Sequence, residues 1–272
     1  MKKYKEKYVK ITEQQKQDYR DKGYFIARNL IPHDQLETIR ERLDMAALGK
    51  LDSNIFVQVE PEIQRTGIQT ENPLDRIRKV SRVARYDPFF QALAADENIL
   101  ELMRGLLGNN LRFFGDECQL KPAYYGSAHA WHQDAPYFYR EPLQVATVWI
   151  AIDRATCANG CIEVVPGAHK HGILERRNPK QAWFDADEFD TSGAVYAEIE
   201  AGDALIFDIL LPHGSGANRT PNRRRSVIYR YINTDGLTPE TWEVANRHGA
   251  LVDDPDVHPI FHNGVQSERA VL

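Results

Sequence analysis

The second half of the chain, residues 111–233, is a series of short apolar segments separated by turn residues. Val145–Ile152 and Ala204–Leu211 have the length and composition of buried strands. Pairs such as Pro166-Gly167 and Gly202-Asp203 mark the turns between segments. Many short strands at this spacing predict a β-sandwich or jelly-roll barrel. The predicted strands are Leu111–Leu120, His129–Asp134, Val145–Ile152, Cys161–Val165, Val195–Ile199, Ala204–Leu211 and Ser226–Ile232.

The first part of the chain, residues 1–110, is predicted to be mostly helical and to support the β-core from outside. Thr12 to Gln15 has the pattern of a capping box that starts a helix. Pro32–Leu48 carries apolar residues at helical spacing, and a further helix is expected over Asp96–Leu107. The mixed polar segment Leu51–Asn72 predicts a long irregular loop.

The composition is that of a soluble globular protein. The 272 residues can bury a large core, and neither a linker nor an internal repeat divides them. We therefore expect one domain over residues 1–272, with residues 234–272 as a C-terminal tail. The net charge of -5 argues against nucleic-acid binding. Apolar runs are too short for a membrane span, and three cysteines suit a reducing cytoplasm.

Two histidines and one aspartate have the pattern of a metal site. Alternate side chains of a strand face the same side, so His132 and Asp134 can reach one point. His213 follows a long apolar segment and can deliver a second imidazole on a rigid support. His169 and His171 compete for this position, but they lie in a predicted loop. Two imidazoles and one carboxylate, with coordination positions left open, favour non-haem Fe(II) over zinc.

A basic segment, Arg219–Ser226, leads into the last predicted strand. One arginine that points inward can bind a carboxylate through two parallel hydrogen bonds, while its neighbours form a solvated turn. Strand alternation places Arg224 and Ser226 on one face and Arg225 and Val227 on the other. Both faces are half apolar, so alternation does not choose between the two arginines.

Taken together, the motifs resemble the phytanoyl-CoA dioxygenase (PhyH) family of Fe(II)- and 2-oxoglutarate-dependent oxygenases. They stand in family order from about Lys79 to Tyr231, and they are specific as a group rather than singly. One departure is Ala168, where the family commonly has serine. The motifs are Trp131-His132-Gln133-Asp134, Trp149–Asp153, Asn159–His169, Gly202-Asp203 and His213–Asn218.

The resemblance implies a double-stranded β-helix of the jelly-roll, cupin-like type, mainly β with flanking helices. It implies iron bound by His132, Asp134 and His213, with 2-oxoglutarate and O2 as co-substrates. The family's arginine for the distal carboxylate of 2-oxoglutarate lies eleven residues after the second histidine, which is Arg224. Further co-substrate contacts are implied at Ser215, Gln119, Trp149 and Lys79.

The resemblance also implies the type of reaction. Oxidation of a substrate is coupled to decarboxylation of 2-oxoglutarate to succinate and CO2. Related halogenases have a small residue where this chain has Asp134, so a hydroxylation or another oxidation is expected here. We expect hydroxylation of an aliphatic C–H bond in a small metabolite, which can carry a carboxylate or a phosphate.

Three alternatives stay open at this point. The same site can desaturate, epimerise, cyclise or form a peroxide. A β-barrel of this kind can also bind or sense a ligand without turnover. A zinc or manganese cupin-like isomerase would not need Arg224 and would act without oxygen. Substrate contacts are expected from the loops Leu51–Asn72, Tyr137–Arg140 and Leu174–Gly193, and the protein is expected to be a monomer or a homodimer.

Overall fold

A computed structural model of the protein has a β-rich centre with helices packed on one side. The structure describes residues 9–135, 144–178, 181, 183–185, 187–235, 261–262 and 265–266. The prediction of a jelly-roll, cupin-like core packed by N-terminal helices is confirmed. The described helices are α1 Glu13–Lys22, α2 Leu36–Ala47, α3 Pro61–Thr66, α4 Val83–Tyr86, α5 Pro88–Ala94 and α6 Glu97–Leu107.

The described strands form two antiparallel sheets. They are β1 Tyr24–Ala27, β2 Phe56–Val59, β3 Ile77–Ser81, β4 Leu111–Lys121, β5 His129–His132, β6 Val145–Ala151, β7 Ile162–Val164, β8 Val195–Ala197, β9 Ala204–Asp208, β10 His213–Ser215, β11 Arg224–Asn233, β12 Phe261–His262 and β13 Val265–Gln266. The larger sheet has the order β1-β9-β6-β11-β4-β12-β13, and the β2–β3 pair joins it at β4. The smaller sheet has the order β5-β10-β7-β8.

One face of the larger sheet packs against the helices. On β11 this face carries Val227, Tyr229 and Tyr231, all with zero exposed area. The Tyr229 hydroxyl donates to the Phe90 carbonyl at 3.0 Å, and the Tyr231 hydroxyl donates to the Ala94 carbonyl at 2.6 Å. Apolar burial of this kind contributes about 25 cal/mol per Å². The helix-facing core therefore holds the larger sheet in place, and the sheet in turn supports the side chains on its other face.

Local signals explain where the N-terminal helices begin and end. Thr12 and Gln15 form the predicted capping box of α1, and Gly23 ends this helix in the left-handed conformation at φ 84°. The helix expected over Pro32–Leu48 becomes a 3₁₀ turn followed by α2, and Asp96 caps α6. Among the described residues, none of the helices has the length and hydropathy needed to cross a membrane.

The prediction of an irregular loop over Leu51–Asn72 is wrong. This segment contains β2, which pairs with β3, and α3, which begins with Pro61 and ends at Gly67. Because β2 is only partly buried, its sequence lacks the apolar alternation of a half-buried strand. Its partner strand also lies outside the segment, so a local pattern could not indicate the pairing.

The N-terminal part of the chain is built into the β-core rather than only laid on it. β1 is the edge strand of the larger sheet and pairs with β9, with Tyr24 opposite Phe207. Asp153 accepts from Arg225 at 2.8 Å and from Arg40 of α2 at 3.0 Å. Ion pairs of this kind tie the helical layer to the turn after β6.

Candidate functional site

Three buried side chains form a candidate metal centre. The ligand atoms of His132, Asp134 and His213 all lie within 4.8 Å of one another. His132 ends β5 and His213 begins β10, and the two residues are register partners in the smaller sheet. Asp134 Oδ1 lies 3.7 Å from His132 Nε2 and 4.0 Å from His213 Nε2. The structure thus brings together the three residues that the sequence predicts as ligands.

Two local details differ from the sequence interpretation. β5 ends at His132, so Asp134 lies beyond the strand on which it was placed. The strand expected over Ala204–Leu211 ends at Asp208, and His213 belongs to β10 of the other sheet. The reason is a turn in which the Asp208 side chain and carbonyl accept backbone hydrogen bonds. This turn carries the chain from the larger sheet to the smaller one.

Backbone carbonyls fix the tautomer of both imidazoles. His132 Nδ1 lies 2.8 Å from the Ala130 carbonyl, and His213 Nδ1 lies 2.9 Å from the Leu211 carbonyl. A carbonyl only accepts, so Nδ1 carries the proton and Nε2 presents its lone pair towards Asp134. Burial lowers the pKa of both imidazoles, that of His213 to about 3. Both rings are therefore neutral, as a metal ligand requires.

Two donors from the larger sheet hold the second oxygen of Asp134. Arg230 Nε donates to Oδ2 at 3.0 Å, and Thr147 Oγ1 donates to it at 3.2 Å. Burial opposes ionisation of this carboxyl, but the charge of Arg230 helps to hold its pKa well below its usual range. The sequence interpretation missed both residues. The two-residue alternation along β11 from Arg224 was the signal that could have indicated Arg230.

Gln133 lies between two of the candidate ligands in the sequence, and its buried side chain hydrogen-bonds to other segments of the chain. Its Nε2 donates to the Gly172 carbonyl at 2.9 Å and to the Leu210 carbonyl at 2.6 Å. Its Oε1 accepts from the Leu174 backbone N–H at 2.9 Å. This side-chain amide therefore fixes the His-x-Asp segment to two other parts of the chain, a role that the sequence interpretation did not assign.

The donor set fits a divalent transition metal. Two neutral imidazole nitrogens and one ionised carboxylate, buried on one side and facing a cavity on the other, are the ligand set typical of non-haem Fe(II) sites. The ring of His129 stacks on that of His132, with centroids 4.6 Å apart, and limits its rotation. The three side chains thus have the charge and the orientation that a ferrous ion needs.

A cavity of about 340 Å³ opens onto these three residues and is walled by both sheets. Its size lies at the lower end of the range of about 300–1,000 Å³ for ligand pockets. Four predicted co-substrate residues lie in this wall, while Arg224 lies behind it. Besides His132, Asp134 and His213, the cavity is lined by Lys79, Glu117, Gln119, His129, Trp149, Ile162, Phe207, Gly214, Ser215, Ile228 and Arg230.

Arg224 is fully buried behind Trp149, with its guanidinium carbon 5.1 Å from the centre of the indole. It donates to Ser226 Oγ and to the Gly160 carbonyl, both at 3.1 Å. Burial lowers its pKa to about 10, so it is charged at neutral pH. Within the described residues, Arg224 Nε, Trp149 Nε1 and Ser215 Oγ are buried without a hydrogen-bond partner. A ligand carboxylate would satisfy such donors, which otherwise cost about 1–3 kcal/mol each.

Lys79 and Gln119 both contact Glu117, which the sequence interpretation did not single out. Lys79 Nζ donates to Glu117 Oε2 at 2.7 Å, and Gln119 Nε2 donates to Oε1 at 3.2 Å. Gln119 Nε2 also lies 3.4 Å from His129 Nδ1. The two predicted co-substrate residues therefore belong to a polar cluster centred on a carboxylate.

The three loops predicted to contact the substrate differ in how much of them the structure describes and in what they contact. Tyr137–Arg140 lies outside the described residues. In Leu174–Gly193, the described residues contact β5, since the Phe184 backbone N–H donates to the Trp131 carbonyl at 2.8 Å. Neither the described part of this loop nor Leu51–Asn72 contributes to the cavity wall. Their part in substrate binding stays a prediction.

Comparisons with known proteins agree with this geometry. The family model for phytanoyl-CoA dioxygenase (PhyH) matches residues 19–226. A probable phytanoyl-CoA dioxygenase of Caenorhabditis elegans is 30% identical over 253 residues, covering 85% of this chain and 81% of the relative. A probable alpha-ketoglutarate-dependent hypophosphite dioxygenase of Stutzerimonas stutzeri is 26% identical, covering 82% and 79%. The crystal structure of EctD from S. alaskensis with bound Fe is 21% identical with a TM-score of 0.67, covering 82% and 77%.

Proposed function

The chain belongs to the phytanoyl-CoA dioxygenase (PhyH) family, and from this premise we propose that it hydroxylates an aliphatic C–H bond of a small molecule. Membership confirms the resemblance carried by the sequence motifs. It makes the protein a non-haem iron dioxygenase that uses Fe(II), 2-oxoglutarate and O2. The observation that carries the proposal is the buried cluster of His132, Asp134 and His213 with its open side towards the cavity.

The ligand cluster supports oxidation of a C–H bond rather than halogenation. Asp134 supplies an anionic ligand at the position that is small in the related halogenases. Arg230 and Thr147 engage its outer oxygen, so Oδ1 is the oxygen that faces the imidazoles. Iron held by His132, Asp134 and His213 would supply the chemistry that decarboxylates 2-oxoglutarate to succinate and CO2, with one oxygen atom of O2 going to succinate and the other to the substrate. The chain's own residues bind and orient the co-substrate and the substrate, and they exclude water from the site.

The co-substrate would be held at the end of the cavity lined by Trp149 and Ser215, with the buried Arg224 behind Trp149. Its distal carboxylate would be an acceptor for the donors Trp149 Nε1, Ser215 Oγ and Arg224 Nε, which lack partners among the described residues. The charge of Arg224 is buried and faces Trp149 rather than solvent, which favours an anion there. Desaturation, epimerisation, cyclisation and peroxide formation would use the same groups, so only the product distinguishes them from hydroxylation.

The test is anaerobic addition of Fe(II) and 2-oxoglutarate, followed by visible absorption. We expect a weak metal-to-ligand band that requires both additions in the wild type. His132→Ala removes a ligand and should abolish the band. His171→Ala is the matched control, because His171 is an exposed histidine that does not line the cavity. A band that persists in His132→Ala, or that never forms in the wild type, contradicts the assignment of the site.

The reaction type is tested with ¹⁸O₂ once a substrate has been found by succinate release. Hydroxylation predicts a product that has gained one labelled oxygen atom. A product that has lost two hydrogen atoms without gaining oxygen would refute hydroxylation and would support desaturation at the same site. An isomer of the substrate, formed without O2, would refute oxidation altogether.

A further inference from the structure

His129 lies in the cavity wall, and neither the family motifs nor the three candidate metal ligands include it. It begins β5, three residues before His132, and its ring lines the cavity. Alternation along a regular strand would place residues 129 and 132 on opposite faces of the sheet. The position of the His129 ring beside the metal centre therefore needs a local cause.

A β-bulge turns His129 towards the cavity. His132 pairs with His213, but the following pair joins His129 to Ser215, so three steps along β5 match two steps along β10. The extra residue reverses the alternation and brings His129 to the face that carries His132. Gly214 leaves room for the bulge, because a Cβ at this position would lie 3.2 Å from the His129 carbonyl oxygen. Bulges next to active sites commonly re-aim a side chain in this way.

Residues of the metal centre and of the predicted co-substrate site surround the His129 ring. The ring stacks on that of His132, with centroids 4.6 Å apart and an angle of 14° between the planes. Ser215 is the register partner of His129 on β10, and Gln119 of β4 approaches its Nδ1. A ligand that extends from the metal centre towards Ser215 therefore passes close to His129.

The side-chain amide of Gln119 determines which nitrogen of His129 carries the proton. Gln119 Nε2 donates to Glu117 Oε1 at 3.2 Å, which orients the amide with its N–H groups towards Glu117 and His129. An amide nitrogen only donates, so His129 Nδ1, at 3.4 Å, accepts. The proton of the neutral ring is then on Nε2, and His129 offers an N–H donor.

This donor is accessible from the cavity. Among the described residues, the His129 ring has the stack on His132 and the hydrogen bond at Nδ1, and neither uses Nε2. Trp149 Nε1 and Ser215 Oγ are buried atoms without a partner, whereas His129 Nε2 is not sealed in this way. A molecule bound in the cavity can therefore accept a hydrogen bond from it.

2-Oxoglutarate is the acceptor that this position favours. The proposed co-substrate site extends from the metal ligands to Trp149 and Ser215, and His129 lies between His132 and Ser215. The co-substrate is a dianion with a keto group, so it presents oxygen acceptors along its length. A hydrogen bond to an ionised acceptor is roughly twice as strong as one between neutral groups.

We propose that His129 is a further co-substrate-binding residue, which donates from its Nε2–H to an oxygen of bound 2-oxoglutarate. This rests on the proposed function, because it adds a contact to the same co-substrate site. The family resemblance implies no role for this position, and the bulge that turns the ring into the cavity is the observation that assigns one. The stack on His132 uses the face of the ring, so the two contacts can be removed separately.

Two variants separate the N–H group of His129 from its ring. His129→Phe keeps a flat ring that can stack on His132 but removes the donor. The affinity for 2-oxoglutarate should fall by about 10- to 100-fold, while the affinity for the metal changes by less than about 3-fold. His129→Gln keeps a donor near the position of Nε2 but removes the ring. It should lose about 2- to 10-fold in metal affinity and bind 2-oxoglutarate more tightly than His129→Phe does.

The measurements use the full chain with Co(II) or Fe(II) in the absence of O2. Chelator competition gives the affinity for the metal, and calorimetric titration of the metal-loaded protein gives the affinity for 2-oxoglutarate. A merely structural role of His129 would lower both affinities together and would not produce opposite losses in the two variants. His33→Phe, at an exposed histidine outside the cavity wall, is the matched control and should behave as the wild type.

Two results overturn the inference alone. Unchanged affinity for 2-oxoglutarate in His129→Phe would show that Nε2 does not reach the co-substrate, and a weaker response to a prime substrate in that variant would assign the donor to the substrate. Equal losses of metal and co-substrate affinity in His129→Phe would mean that the residue only supports His132. A wild-type protein that binds the metal but no 2-oxoglutarate would overturn the proposed function together with the inference.

Discussion

The two sheets contribute to the site in different ways. The smaller sheet supplies the two histidines from strands of three and four residues, β10 and β5. The larger sheet supplies Arg224 and Arg230 from β11, a strand of ten residues that is paired on both sides. Short strands fix their side chains weakly, so the imidazoles depend on carbonyl hydrogen bonds, and Asp134 depends on Arg230. The imidazoles are therefore held by carbonyls in or next to the smaller sheet, whereas the carboxylate of Asp134 is held by the larger sheet.

Arg224→Met is expected to show the largest difference between what the two sheets contribute, because it should affect 2-oxoglutarate binding and not iron binding. Loss of a buried partner for a carboxylate costs about 2–5 kcal/mol, or roughly 30-fold or more in 2-oxoglutarate affinity. Iron affinity should change by less than about 3-fold, because the two histidines are on the smaller sheet and Asp134 is held by Arg230 and Thr147 rather than by Arg224. Titration of the visible band with 2-oxoglutarate and a competing chelator for Fe(II) measure the two affinities. Arg219→Met, an exposed arginine, is the control, and an equal loss of iron affinity would contradict the division.

The next largest effect is expected at the contact between Arg230 of the larger sheet and the ligand Asp134. Arg230→Met should lower the affinity for Fe(II) by about 10- to 100-fold, because partners of metal ligands typically contribute that much. Thr147→Val removes a neutral hydrogen bond and should lower it by about 5-fold. Arg230→Lys should recover part of the loss. Chelator competition with Co(II) as a second metal checks the result, and an unchanged affinity in Arg230→Met would show that Asp134 is positioned without it.

A pH effect is expected at Lys121, whose Nζ donates to the carbonyls of Ser127 and Gly216. Burial, together with the charges of Arg224 and Arg78, lowers its pKa from 10.5 to about 6. Between these values the unfolded chain binds a proton that the folded protein does not, so the free energy of unfolding rises with pH. Lys121→Met should reduce this slope by about 1.4 kcal/mol per pH unit between pH 7 and 9. Urea denaturation at several pH values measures it, and equal slopes would refute the shifted pKa.

The smallest effect is expected on the helix-facing side of β11. Tyr229→Phe removes a buried hydroxyl that donates to the Phe90 carbonyl and should lower the free energy of unfolding by about 1 kcal/mol. Affinities for iron and 2-oxoglutarate should stay the same, since this side chain faces away from the cavity. Denaturation and band titration together check this. A loss of iron affinity would mean that the helix-facing core also sets the ligand geometry.

The sequence predicted well those features that depend on neighbouring residues. The capping box at Thr12 and the long strands β4, β6 and β11 were read from local patterns. The convergence of His132, Asp134 and His213 was predicted from strand alternation and from family resemblance, although β5 ends at His132 and Asp134 lies beyond it. The co-substrate roles of Arg224, Ser215, Gln119, Trp149 and Lys79 stay predictions.

Features set by distant contacts could not be read in the same way. The alternation of side chains along the strand did not distinguish Arg224 from Arg225. The two arginines differ only in which part of the fold covers their face of β11, and the sequence does not show this. Arg230 and Glu117 gain their meaning only from partners brought close by the fold, Asp134 and Lys79. β10 has three residues, too few to give a periodic pattern, although it carries His213.

The pairing of β1 with β9 has a consequence for how the protein is made. Tyr24 and Phe207 face each other in the sheet although roughly 180 residues separate them along the chain (207 − 24). At synthesis rates of about 5–20 residues per second, β1 waits on the order of 10–40 s for its partner to leave the ribosome. During that time the Tyr24–Ala27 strand has an unpaired edge, and the larger sheet cannot close. Such long-range pairing predicts slow folding and a nascent chain that benefits from chaperones.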